Sequence, residues 1–346
     1  MIDSRLPPAL SGRRITIAGQ GPGLCAYASE SAQREPSGFD AGAAPLLLVH
    51  SINASASAAE VKPLFERYGA RRPTLALELP GFGSSQRGRL SYSPAMMAES
   101  VLRAAQHFRA LGFAQAIDVL ALSLSCEFVA LAVLEQPTWF RSVALVSPSG
   151  LESGRDEHYA DGRTKEKPWL RRLLSAPIGE PVFRLLTTPA SMRWFLERAW
   201  GSPVIDETLL AYEELTARRP GARHAPAAFI AGALFTQGIA ERYALMAPAV
   251  WLAHGVRGEF ADVGGLSRIG PPAHWSWDTF GTGAMPHLEA PSLFVARYDA
   301  FLDRVAANVD WAPDAETAHG GDKAPASATV LRQPRRWTPA PASVPR

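Results

Sequence analysis

Apolar runs and helix-spaced segments alternate along the first 150 residues. Leu46-Leu47-Leu48-Val49 has no polar position, the pattern of a strand buried on both faces. Residues 56–69 carry helical spacing, and Thr74 to Leu79 reads as a second buried strand. An amphipathic helix is predicted over 94–111, ended by Gly112. A strand follows at Ile117 to Leu122, a helix at Glu127 to Leu134 and a strand at Ser142 to Val146. Ahead of this rhythm, Arg14 to Ala18 and Leu24 to Ser29 read as two short strands around the turn Gln20-Gly21-Pro22-Gly23. Strands and helices of these lengths predict an α/β fold, a mostly parallel sheet with helices on both faces.

The rhythm breaks at about 151. Residues 151–245 are rich in Arg, Trp, Leu and Pro, hold no convincing buried strand, and predict a helical insertion, a lid. It returns with strands at Ala249 to Ala253 and His274 to Phe280 and a closing helix over 290–308. The expected organisation is a loose start at 1–13, a core of 14–150 and 246–308, the lid at 151–245, and a Pro- and Ala-rich tail at 309–346 without fixed structure.

Of the 346 residues, 47% are hydrophobic, enough to bury a large core. The net charge of +2 gives no footprint for nucleic acid, and the scattered arginines read as solvated faces. Two cysteines, Cys25 and Cys126, cannot frame a disulfide scaffold and lack metal-ligand spacing, so neither metal nor cofactor is expected. With no apolar leader at Met1 to Gly12 and no 18-residue apolar run, the expectation is a cytoplasmic protein without a membrane span.

The chemistry centres on Asp118-Val119-Leu120-Ala121-Leu122-Ser123-Leu124-Ser125-Cys126-Glu127-Phe128, where a buried strand runs through small-x-Ser-x-small into a helix. A serine on so sharp a turn needs small neighbours two positions away, so that strand and helix can approach. Two further motifs precede it: Val49-His50-Ser51-Ile52-Asn53 at a strand end, and Glu78-Leu79-Pro80-Gly81-Phe82-Gly83-Ser84-Ser85. Taken in order, these segments resemble the α/β-hydrolase superfamily, with Ser51 replacing the usual Gly and Glu78 the usual Asp. The resemblance spans roughly residues 14–308. It implies Ser123 as nucleophile and the backbone N–H groups of Ile52 and Leu124 as an oxyanion hole.

The remaining triad members fall out of step with that family. Aligned on His254-Gly255, the acid position is Gly258; Glu259 lies one residue on and Asp262 four on, with Glu152 after the preceding strand as a further candidate. Gly281-Thr282-Gly283-Ala284-Met285-Pro286-His287-Leu288-Glu289 resembles the family's histidine loop, but Ala284 holds the usual histidine position and only the second histidine, His287, is retained. The reading is therefore Ser123, His287 and Glu259 as a displaced triad, with Asp262 or Glu152 as alternative acids. Each of these carboxylates, and His287, also has a purely structural reading.

Trp169, Phe183, Trp194, Phe195, Trp200, Tyr212, Phe229 and Phe235 make the lid aromatic, which suggests a small or medium apolar ester or related acyl substrate. The same rings also serve simply to pack a lid. Three functions fit: a lidded serine hydrolase working through an acyl-enzyme, a degenerate hydrolase fold binding a ligand or partner without hydrolysis, or a non-hydrolytic reaction with Ser123 as acid or base.

Overall fold

The structure, a computed structural model, describes residues 5–33, 44–152, 165–258, 260 and 262–307. Its strands are β1 (Arg13–Ile17), β2 (Leu24–Ala28), β3 (Leu46–Val49), β4 (Thr74–Glu78), β5 (Ile117–Leu122), β6 (Phe140–Val146), β7 (Ala249–Gly255) and β8 (Trp275–Phe280). They form one sheet in the order β1-β2-β4-β3-β5-β6-β7-β8. The first two are antiparallel to each other and β2 is antiparallel to β4; from β4 onward every pairing is parallel. This is the mostly parallel α/β sheet that the alternating pattern predicts.

Period-2 alternation divides the core. Leu47, Val49, Leu75, Leu77, Val119 and Leu145 point to one face, packed by α2 (Pro94–Ala110) and α3 (Ser125–Glu135). Leu46, Leu48, Ala76, Leu120 and Trp251 point to the other, covered by α1 (Lys62–Gly69) and by the last described helix, Pro291–Ala307. Trp251 stacks there on Tyr298 and Phe301 and meets Phe294 edge-on. At the start of β5 the buried Asp118 accepts hydrogen bonds from Arg72, from Arg141 at 2.9 and 2.6 Å and from Ser142 at 2.6 Å.

Six helices lie between β6 and β7 among the described residues: α4 (Pro168–Ser175), α5 (Gly179–Leu186), α6 (Pro189–Trp200), α7 (Glu207–Ala217), α8 (His224–Ile230) and α9 (Ile239–Ala244). Their aromatic residues divide. Phe183 and Trp200 are buried, Phe229 stacks on Phe235 with ring centres 5.5 Å apart, and Trp169, Trp194 and Phe195 face solvent. After β7 come α10 (Leu266–Ile269), α11 (Pro286–Glu289) and α12 (Pro291–Ala307).

The expected loose start is partly packed. Leu6 and Leu10 are buried, the Ala9 N–H donates to the Tyr27 hydroxyl at 3.0 Å, and Tyr212 of α7 donates to Pro7 O at 2.8 Å. The reason is tertiary: a short stretch with two leucines shows no periodicity, yet Ala9 and Leu10 pack into the cluster on the face that α1 covers. The tail at 309–346 lies outside the described residues. None of the described helices is long and apolar enough to cross a membrane.

Candidate functional site

Strands in parallel register end side by side: Val49 is paired with Ala121, Leu122 with Val146, and Val146 with Ala253. The crevice beyond the carboxyl ends of such strands is where open α/β sheets hold ligands. Ser123 stands directly after β5, in the left-handed region at φ 52°. A side chain there costs of order 1–3 kcal/mol, so the surroundings must impose it. They do so from both sides. The Ser123 N–H donates to Val146 O at 2.8 Å, and Ser123 O accepts the Cys126 N–H at 3.0 Å. The fully buried Ala121 and Ser125 leave room for strand and helix to close on the turn, and Ser125 Oγ donates to His50 O at 2.6 Å. Burial pushes the Cys126 thiol far up, so it is an uncharged packing group.

The N–H groups of Ile52 and Leu124 donate to no described group, although both residues are buried. Leu124 precedes the first turn of α3, where helix geometry leaves N–H groups without partners. Ile52 is held from its flanks. The Ser51 N–H and Oγ donate to Glu60 at 2.7 and 3.0 Å. His50 donates from Nδ1 to Ser51 O at 2.6 Å and accepts the Leu79 N–H at Nε2 at 3.1 Å, which fixes its tautomer. Burial lowers the His50 pKa to about 4, so this ring is a neutral strut. Glu78, at the Asp position of the Pro-Gly loop, accepts the Ser84 N–H at 2.5 Å. The loop thus keeps its shape with the longer acid.

His287 lies on α11, fully buried, with its ring 5.8 Å from that of Phe294. Its Nε2 is 2.8 Å from Glu60 O; a carbonyl only accepts, so Nε2 carries the proton. Nδ1 has no hydrogen-bond partner. Burial lowers the pKa to about 4. His254 is likewise engaged, by Gly255 O at 2.9 Å and Thr279 Oγ1 at 3.1 Å. No ring nitrogen of a described histidine is hydrogen-bonded to Ser123. Among the candidate acids, Glu259 lies outside the described residues. Asp262 is exposed and accepts the Gly264 N–H at 2.8 Å, and Glu152 accepts the Gly150 N–H at 3.1 Å.

The loops to which the resemblance assigns an acid and a histidine form a packing joint. The Ala284 N–H donates to Ala199 O at the end of α6 at 2.8 Å, and Ala284 O accepts from Ser147 Oγ at 2.8 Å. A Cβ added at Gly283 would stand 2.3 Å from Trp200 O, and one at Gly258 2.5 Å from Arg198 O. The carboxyl end of α6 is therefore seated on both loops, and only residues without side chains admit it there. Ser147 itself adopts φ 46° at the end of β6.

Sequence reading missed the buried acids around these loops. Glu60 and Glu213 both accept from the Asn53 amide, at 3.0 and 3.3 Å. Glu127, one turn into α3, accepts from Ser149 Oγ and the Thr236 N–H, each at 2.6 Å. Their only sequence signal is a carboxylate on an otherwise apolar helical face. Among the described residues no cluster of His, Cys, Asp and Glu is placed to hold a metal ion.

No protein-family model matches the chain, and no curated protein matches it by sequence. Solved structures match its fold. An esterase from Exiguobacterium antarcticum superposes with TM-score 0.64 at 13% identity, covering 84% of this chain and 99% of its own. The 2-hydroxy-6-oxo-6-phenylhexa-2,4-dienoate hydrolase of Rhodococcus sp. strain RHA1 gives 0.62 at 16% identity, covering 84% and 99%. A bacterial membrane phospholipase A gives 0.62 at 19% identity, covering 86% and 87%. At such identities the likeness establishes the fold, while the reaction has to be argued from the residues of the site.

Proposed function

The chain has the α/β-hydrolase fold, and on that premise we propose that it binds a small or medium apolar acyl compound at Ser123 without a histidine-driven hydrolysis. The observation that carries this reading is Ala284. The loop position that supplies the base in this fold has no ring; its N–H and C=O are bonded to Ala199 and Ser147, while His287 is turned to Glu60 O. A serine hydroxyl is a poor nucleophile until a base takes its proton. The Ile52 and Leu124 N–H groups and the Ser123 hydroxyl suit a carbonyl or carboxylate oxygen, whether or not a bond is broken. Apolar surroundings fit the rest of the ligand: Ile52, Phe82 and Leu124 belong to one cluster with Ala225, Leu234 and Ile239 of the helical insertion.

A second reading is favoured by a separate observation. Ser123 retains the left-handed turn, and two N–H groups stay unpaired beside it, features that a hydrolase uses in its transition state. On that reading Ser123 attacks an ester carbonyl, with Glu259 and His287 serving after rearrangement. One set of measurements separates the two. Calorimetric titration with octanoate, repeated on Ser123→Ala, reads binding; turnover of p-nitrophenyl butyrate and labelling by a fluorophosphonate read nucleophilicity. Binding requires octanoate to be held with affinity that drops on removing the hydroxyl, with ester turnover no higher in the wild type than in Ser123→Ala. Turnover and labelling that vanish in Ser123→Ala establish the hydrolase instead.

A further inference from the structure

Behind the Ser51–Ser55 segment two carboxyl groups meet across the boundary between the sheet domain and the helical insertion. Glu60 belongs to a short 3-10 helix, Ala58–Val61, and Glu213 to α7. Both are almost fully buried, at 0% and 2% exposure. Each accepts from the same amide nitrogen of Asn53, and each reaches one further side chain of the segment: Ser51 Oγ to Glu60 at 3.0 Å and Ser55 Oγ to Glu213 at 3.3 Å. Asn53 Oδ1 accepts the Ser55 N–H at 2.6 Å, and Thr216 of α7 donates to Ser55 O at 2.6 Å. The segment carrying Ile52 is thus tied to α7 through Glu213 and Thr216, and to the 3-10 helix through Glu60.

Among the described residues no cation is paired with either acid. Lys62 and Glu66 of α1 face each other 3.9 Å apart at the surface. Arg87 donates to Gly83 O and Thr216 O, and Glu214 of α7 is bridged to Arg218. Glu78 bonds Ser84 and the Ala58 N–H, Tyr212 donates to Pro7 O, and the neutral His287 meets only the backbone carbonyl of Glu60. Two buried carboxylates on one amide, without a counter-ion, cannot both be ionised cheaply.

We propose that Glu60 and Glu213 keep a shared proton into mildly alkaline solution, and that this last proton fastens the Ser51–Ser55 segment to α7 and so positions the Ile52 N–H. The two acids are positioning residues, and the assignment rests on the reading of Ile52 as an anchoring donor. Burial pushes the carboxyl of Glu60 up to about 7; burial and then the charge of Glu60 push that of Glu213 up to about 8. Below about 8 the pair keeps at least one proton and the segment is held. Above that value both acids are ionised and repel, and the segment parts from α7.

Two readouts on the full chain test this between pH 6 and 9: hydrogen exchange of the 51–57 peptide, corrected for the intrinsic pH dependence, and calorimetric titration with octanoate. In the wild type, protection of 51–57 is expected to fall about tenfold from pH 7 to 9. In Glu213→Gln, which keeps the shape without a titrating proton, it stays within about twofold. Octanoate affinity follows the same split, and Glu127→Gln, a buried acid elsewhere, retains the wild-type profile. If Glu213→Gln does not fold, Glu60→Gln makes the same comparison. Parallel profiles for wild type and variant overturn the proposal. Should protection follow the split while octanoate binds at no pH, the ligand reading fails and the proton-held tie stands.

Discussion

A serine at φ 52° is maintained by its neighbours rather than by its own preference, and Ser123 keeps that turn although no described histidine serves it. The resemblance puts a nucleophile at 123 and its base at 284: the first keeps a serine on its turn, the second is an alanine. That mismatch predicts a gain of function. Ala284→His returns an imidazole to the loop position beside the strand ends. General-base assistance is typically worth about 10²–10⁴-fold, and without an acid to orient the ring the lower end applies. Hydrolysis of p-nitrophenyl butyrate should therefore rise about 10²-fold over wild type and disappear again in the Ala284→His, Ser123→Ala double variant. No rise in a folded protein would mean that the loop does not present residue 284 to the serine.

At the scale of elements, the carboxyl end of α6 is seated where the loops after β7 and β8 converge, and its fit depends on Gly258 and Gly283. Gly283→Ala places a methyl group 2.3 Å from Trp200 O, a contact with backbone that cannot swing away. The expected loss is about 1–3 kcal/mol, read as a lower midpoint in urea with an unchanged slope. An unchanged midpoint would show that α6 sits loosely. This joint was not legible in the sequence, because it is built from carbonyls of α6 and missing side chains in two loops far apart along the chain. The sheet was legible. Leu46–Val49 and, after Asp118, Val119–Leu122 are apolar because helices cover both faces, and the structure places strands over those residues. The elbow was legible for the same local reason, small residues at Ala121 and Ser125 around one serine. His287 kept its family spacing, yet its partner is a backbone carbonyl 227 residues earlier, which no motif encodes.

Across the whole molecule, buried titratable groups set opposing dependences on pH. His50 and His287 have pKa values lowered by burial from 6.5 to about 4. The unfolded chain binds those protons first, so stability rises with pH across that window and the gain is complete above 6.5. Glu60 and Glu127 are raised by burial from 4.5 to about 7, and Glu213 by burial and the charge of Glu60 to about 8. For these the folded state holds the proton longer, so stability is full below 4.5 and falls as pH rises through 7 and 8. Asp118 moves the other way: burial opposes ionisation, but Arg72 and then Arg141 and Ser142 hold its pKa below 3.8. Its contribution is present above that value and is lost in acid. Between 4.5 and 6.5 the histidine and glutamate slopes oppose one another. Above 6.5 only the glutamates still titrate, each at about 1.4 kcal/mol per pH unit while it remains protonated in the fold. With three glutamates against two histidines, the melting temperature is therefore expected to fall gently from pH 4.5 to 6.5 and more steeply from pH 6.5 to 8. Glu127→Gln and Glu213→Gln should each remove part of that drop. Below pH 4.5, where the glutamate slope has ended, a second decline should appear, carried by the histidines down to about pH 4 and by Asp118 below 3.8, and Asp118→Asn should lower the melting temperature at neutral pH by stranding Arg72 and Arg141, an effect that shrinks in acid. A melting temperature that climbs from pH 6.5 to 8 would mean that the three glutamates are ionised in the fold and that cations outside this account neutralise them.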